Sequence, residues 1–120
     1  MKLLTRQQYA TLLANGRRQA AVKGTSDECD FWPVVKLFLP DGAATWLLTE
    51  IEPDDPDVAW GLCDLGMGFP EFGAVSLPEL AALRGRLGLP VERDRHFVAH
   101  GPISRYVDAA FAAERIVQIG

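Results

Sequence analysis

Cysteine is scarce in this chain, and its two thiols, Cys29 and Cys63, stand too far apart to make a C-x-x-C pair. That spacing signals neither a small zinc site nor a disulfide framework, so both are expected as reduced, mostly buried thiols in a cytoplasmic protein. No run approaches the ~20 apolar residues of a membrane span. Met1-Lys2-Leu3-Leu4 starts like a signal peptide, but Arg6, Gln7 and Gln8 interrupt the apolar run at once. A soluble protein without a membrane partner is the expectation. The phosphate-loop patterns G-x-x-x-x-G-K-[ST] and G-x-G-x-x-G are also missing, so Gly61, Gly66, Gly68 and Gly73 read as turns and close strand packing. No Ser, His and Asp spacing matches a nucleophile motif.

One sign of charge is absent from the middle of the chain. Between Leu37 and Leu83 there is no Lys or Arg, while Asp41, Glu50, Glu52, Asp54, Asp55, Asp57, Asp64, Glu71 and Glu79 fall there; all twelve basic residues lie in the flanks. Such segregation suits an acidic surface facing a basic partner or cations, with a separate basic surface suited to phosphates. What is present is ordinary globular composition: 120 residues, 48% hydrophobic and 23% charged, enough for one domain over 1–120 with its own core.

The elements read as follows. Thr5-Arg6-Gln7-Gln8 is a capping box, and Leu4, Tyr9, Leu12 and Leu13 recur at helical spacing, predicting a helix over Arg6 to Ala14 that Asn15-Gly16 ends. Pro33 to Leu39 is β-branched and aromatic and stops at the turn Pro40-Asp41-Gly42. Thr45 to Ile51, Val58 to Leu65 and Phe72 to Val75 continue a meander, with Pro53 to Asp57 as a hairpin turn. Ser76-Leu77-Pro78-Glu79 is a second capping box opening a helix to about Arg84. Val91 to Val98 alternates as a fifth strand at an edge, with Arg93, Arg95 and Phe97 on one face and Glu92, Asp94 and His96 on the other. A terminal helix to about Ala113 buries Ile103, Val107, Ala110 and Phe111. The expected fold is α+β: about five antiparallel strands and three helices in the order α-β-β-β-β-α-β-α, with the Thr45–Ile51 and Val58–Leu65 hairpin central and Leu47, Ile51, Leu62 and Leu65 buried.

Pro33-Val34-Val35-Lys36-Leu37-Phe38, Thr45-Trp46-Leu47-Leu48-Thr49-Glu50, Gly61-Leu62-Cys63-Asp64-Leu65-Gly66, Gly68-Phe69-Pro70-Glu71 and Arg93-Asp94-Arg95-His96-Phe97 together resemble the bacterial domain of unknown function family DUF2958. The resemblance implies a small bacterial protein encoded on plasmids and other mobile elements, near genes for DNA transfer or antirestriction. Some relatives carry a description as single-stranded DNA endonucleases, without catalytic residues that transfer to this sequence.

Three sets of residues are candidates for chemistry. Carboxylates bind Mg²⁺ or Mn²⁺ as hard ligands, which singles out Glu50 and Asp64 within the acidic run; Asp54 to Asp57 fit a solvated turn. His96, with Glu92 and Asp94, has the chemistry of an oriented general base, against the blander account of a charged edge strand. Arg84, Arg86, Arg93, Arg95 and Arg105, near Phe97 and Tyr106, combine phosphate grip with base stacking, but the chain's net charge of −4 disfavours a nucleic-acid partner. Trp32, Trp46 and Trp60 read as core or sheet-face aromatics. The leading expectation is a non-catalytic accessory or interaction domain that needs no cofactor and presents Glu50, Glu52 and Asp64, with Arg93 and Arg95, to a protein partner. The alternative is a metal-dependent single-stranded DNA endonuclease using Glu50, Asp64 and His96, with Mg²⁺ or Mn²⁺ as its only cofactor.

Overall fold

The computed structural model describes residues 3–120, so Met1 and Lys2 of the signal-like start lie outside the described residues. The elements are α1 (Arg6–Val22), β1 (Val35–Phe38), β2 (Thr45–Ile51), β3 (Val58–Asp64), β4 (Glu71–Ser76), α2 (Leu77–Ala82), β5 (Glu92–Arg93) and α3 (Ile103–Ala113), a mixed α+β arrangement in the expected order. All pairings are antiparallel, and the strand order is β4-β3-β2-β1-β5. β2 therefore holds the middle of the sheet and β5 an edge.

The capping box forms as its residues announce. The Thr5 hydroxyl accepts the Gln8 N–H at 3.0 Å and Gln8 Oε1 accepts the Thr5 N–H at 2.9 Å. α1 does not stop at Ala14, however. Asn15 and Gly16, expected as its end, are what dock it: Asn15 Nδ2 donates to the Thr49 carbonyl at 2.9 Å. The bare Cα of Gly16 lies so close to β2 that a Cβ there would sit 1.7 Å from the Ile51 carbonyl oxygen. Packing overrides the local tendency of Asn-Gly to end a helix. α1 ends at Val22, just before Gly24 takes φ +81° and Thr25 donates to the Val22 carbonyl.

Helices cover both faces of the sheet. On one face α1 and α2 bring Leu12 and Leu80 against Val35, Leu37, Trp46, Leu48 and Ile51. On the other, Ile103, Tyr106 and Ala110 of α3 pack on Leu47 and Leu62. Tyr106 thus takes the core place expected of Phe111, which is exposed. Leu65 is exposed too, because β3 ends at Asp64 and the turn through Gly66, at φ +81°, takes the chain off the sheet. Within β2 the register slips between Leu48, opposite Gly61, and Glu50, opposite Trp60, leaving Thr49 as a bulge. The slip brings Glu50 opposite Trp60.

The fifth strand is far shorter than the expected Val91 to Val98. After two residues the Asp94 carboxylate accepts the His96 N–H at 2.9 Å and the Asp94 carbonyl meets the Phe97 N–H at 3.3 Å. A short aspartate side chain competes here with the ladder for backbone donors. Asp94 and His96 consequently fall in the turn beyond the two-residue strand.

Two pairs of variants test this packing in urea melts. Leu62→Ala, at a fully buried site, should cost about 2–5 kcal/mol and Leu65→Ala under ~1 kcal/mol. Gly16→Ala should cost at least the ~1–3 kcal/mol of an overpacked core, whereas Gly73→Ala, with nothing within 4 Å of the new Cβ, should lie within about 0.5 kcal/mol of the parent.

Candidate functional site

Glu50 sits at the end of α1 with 8% of its surface exposed. Burial raises its pKa above the usual carboxylate value, opposed by the Thr49 hydroxyl at 3.2 Å and by Lys23, while Glu52 and Glu28 push the same way as burial. Glu52 accepts the Trp60 Nε1–H at 3.2 Å, and the Lys23 ammonium lies 4.7 Å from the centre of the Trp60 ring. Glu50, Glu52, Lys23 and Gly16 line a hollow of about 130 Å³. The structure brings the first two acids together there.

Asp64 is elsewhere. It lies four residues beyond Trp60, the partner of Glu50, hence roughly 13 Å along the strand. It is also buried, with Oδ1 accepting the Gly66 N–H at 2.8 Å and Oδ2 the Ile116 N–H at 2.9 Å. Both oxygens are occupied in fastening the chain. His96 lies past β1, beyond the far side of β2, so Glu50, Asp64 and His96 do not converge. Among the described residues no group of three or more His, Cys, Asp or Glu side chains is placed to hold a metal ion. Cys63 is a poor nucleophile as well: burial, with Glu71 adding to it, pushes its thiol up to about 11.

The basic candidates are dispersed. Arg93 turns to the α1 face, where Nη1 donates to the Leu3 carbonyl at 3.2 Å; Arg105 on α3 donates to the His100 carbonyl at 3.4 Å on the opposite face. Arg84 folds back onto the Ala81 and Leu83 carbonyls at 3.0 and 2.8 Å. Arg95 is exposed in the turn after β5.

A cleft of about 390 Å³ opens on the α3 face beside β5. Lys36 and Leu47, opposed in the β1–β2 ladder, form its floor. The chain after β5 supplies one wall, with Asp94, His96, Phe97 and His100, and the C-terminal segment supplies the other, with Ile116 and Ile119. Tyr106 closes the bottom, 3% exposed, its ring 6.4 Å from that of Phe97. The fastening of Ile116 by Asp64 therefore builds one wall of the cleft. Of these residues the sequence singled out His96 with Asp94, and Phe97 and Tyr106 as aromatic neighbours of the arginines. It passed over Lys36 and the apolar Ile116-Val117-x-Ile119 run past the last helix, the one signal of a further packed segment.

Because the raised pKa of Glu50 favours the protonated carboxyl in the folded state, that group stabilises the fold below its unfolded-state pKa and loses the contribution as pH rises through the folded value. Glu50→Gln, which keeps an acceptor for Thr49, should raise the melting temperature at pH 7. The gap from the parent should close as pH falls through the carboxylate range, as thermal melts across pH would record.

No curated protein and no solved structure matches this chain. The family model for a protein of unknown function, DUF2958, matches residues 3–117, and the chain belongs to that family.

Proposed function

We propose that this protein is a non-catalytic interaction domain, in the accessory role on bacterial mobile elements that its family resemblance implies, and that it captures an extended basic segment of a protein partner along β4. The observation that carries the reading is the contrast between the two sheet edges. β5 is two residues long and ends in a turn, a blunted edge. β4 runs six residues with no register slip, no proline and no Lys, and apart from Ser76, which caps α2, no backbone hydrogen bond outside its ladder with β3 engages it among the described residues. Protein edges usually carry such devices because open backbone groups recruit other strands. An edge without them is suited to strand addition.

Side chains and charge narrow the partner. Phe72 is 43% exposed, stacked on Trp60 at 6.4 Å between centres, and Leu65, Met67 and Phe69 stand exposed in the loop just before. Acids border the strand: Glu71 at its start, Glu79 beyond its end, and Asp54, Asp55 and Asp57 in the turn beside Ser76, all exposed. Glu50 and Asp64 are buried, so this border and half-buried Glu52 carry the acidic character instead, while Arg93 and Arg95 lie at the opposite edge. A second copy is a poor occupant, because a two-fold antiparallel pairing of β4 would bring Glu71 to Ser76 and its acidic neighbour Asp57. An apolar segment with Lys or Arg flanks satisfies both the edge and the charge. The endonuclease alternative draws no support from the separate positions of Glu50, Asp64 and His96.

Titrating the protein with an eight-residue peptide of alternating Lys and Val, and with its Glu and Val counterpart, tests this by amide chemical shifts. Shifts from the basic peptide should centre on residues 71–76, the acidic peptide should bind at least tenfold more weakly, and Glu71→Lys should reverse part of that preference. Equal binding of both peptides, or shifts scattered away from β4, would overturn the reading. Cleavage of single-stranded DNA with Mg²⁺ or Mn²⁺ that disappears in a Glu50→Ala/Asp64→Ala variant would establish the enzyme instead.

A further inference from the structure

The cleft beside α3 has features that the β4 edge does not use. Its volume of about 390 Å³ falls within the range of small-molecule sites, which are apolar with a few placed polar groups. Leu47, Phe97, Ile116 and Ile119 give it an apolar lining.

Its polar groups share one need. The Tyr106 hydroxyl is buried with the rest of that side chain, 3% exposed, and accepts the His100 N–H at 3.1 Å. No acceptor for its own proton is found among the described residues. Buried hydroxyls ordinarily place both their donor and their acceptor capacity, so this one is a donor waiting for an acceptor. Lys36 is in a similar state. Its contact with Asp94 Oδ2 is long, 3.8 Å, and the other oxygen of Asp94 is held by the His96 N–H; such part-exposed pairs contribute little. The imidazoles of His96 and His100 line the cleft and make no hydrogen bond among the described residues. One carboxylate thus faces one ammonium, two imidazoles and one unclaimed hydroxyl proton in a chain whose net charge is −4.

We infer that this cleft binds a small amphiphile with an oxyanion head, the head taking proton donors from Tyr106 and Lys36 and the apolar body lying along Leu47, Phe97 and Ile119. Charge-assisted donors of this kind are stronger than neutral ones and select the sign of the ligand. A carboxylate and a phosphate monoester share the chemistry, and the same cleft admits either head.

Isothermal titration with four eight-carbon probes separates the possibilities: octanoate, octyl phosphate, octanol and octylammonium. At least one oxyanion should bind tenfold or more tightly than octanol, with octylammonium weakest, and whichever oxyanion leads names the head group. Lys36→Met and Tyr106→Phe should each weaken that oxyanion about tenfold and leave octanol within twofold, in proteins whose cooperative thermal melts show them folded. Lys36 is part-exposed, so its variant keeps the test decisive if loss of the Tyr106 hydroxyl disturbs folding. Equal binding of the four probes, oxyanion binding unchanged in the Lys36 variant, or no binding of either oxyanion would overturn the inference.

Discussion

The contact between α1 and β2 governs how the rest of the molecule is arranged. Gly16 lets the helix backbone lie directly on the Ile51 carbonyl, and Asn15 ties the same turn to Thr49. A strand gripped this closely on one face and covered by α3 on the other has little freedom, which is why Leu47, Leu48 and Ile51 show no exposed surface. The bulge at Thr49 falls where the helix takes hold. It is the local adjustment that brings Glu50 opposite Trp60 and into a buried setting, where burial raises its pKa. An acid that looks like part of a surface run is thereby made a buried group within reach of Lys23.

The two edges of the sheet follow from where the chain goes next. β1 receives its outer neighbour from a distant segment that joins for two residues before Asp94 turns it away. β4 receives none among the described residues, because α2 starts directly after Ser76 and packs onto the α1 face instead of returning a strand. Apolar side chains and acids then border an open backbone. This asymmetry separates the two proposed sites, a strand-docking edge at β4 and a ligand cleft near β5, by the width of the sheet.

Asp64 shows how a residue suited to chemistry is used for construction. Its two oxygens hold the turn after β3 and the segment after α3 at once. That second bond sets the C-terminal residues across the face of the sheet, where Ile116 and Ile119 meet Phe97 and Tyr106. The cleft exists because a carboxylate in one hairpin captures a backbone N–H fifty-two positions later.

Much of the fold was legible in local patterns. Thr5 and Gln8 cap a helix by chemistry confined to four residues, β2 falls between the turn Pro40-Asp41-Gly42 and the next one, and proline-rich acidic residues mark that hairpin turn. Family membership was also legible in short motifs. Site geometry was not, because it depends on contacts that local periodicity does not encode. Asn15-Gly16 carries the signature of a helix end and acts as a helix–sheet contact, since the gain from close packing exceeds a weak local preference. Glu92, Asp94 and His96 alternate as a strand, yet an aspartate side chain captures the backbone first. The sequence by itself determined the element order, the antiparallel meander and the separation of charge along the chain. The tertiary structure alone decided which acids are buried, which edge stays open and which donors face one cleft, because each of those depends on residues far apart in the chain meeting in space.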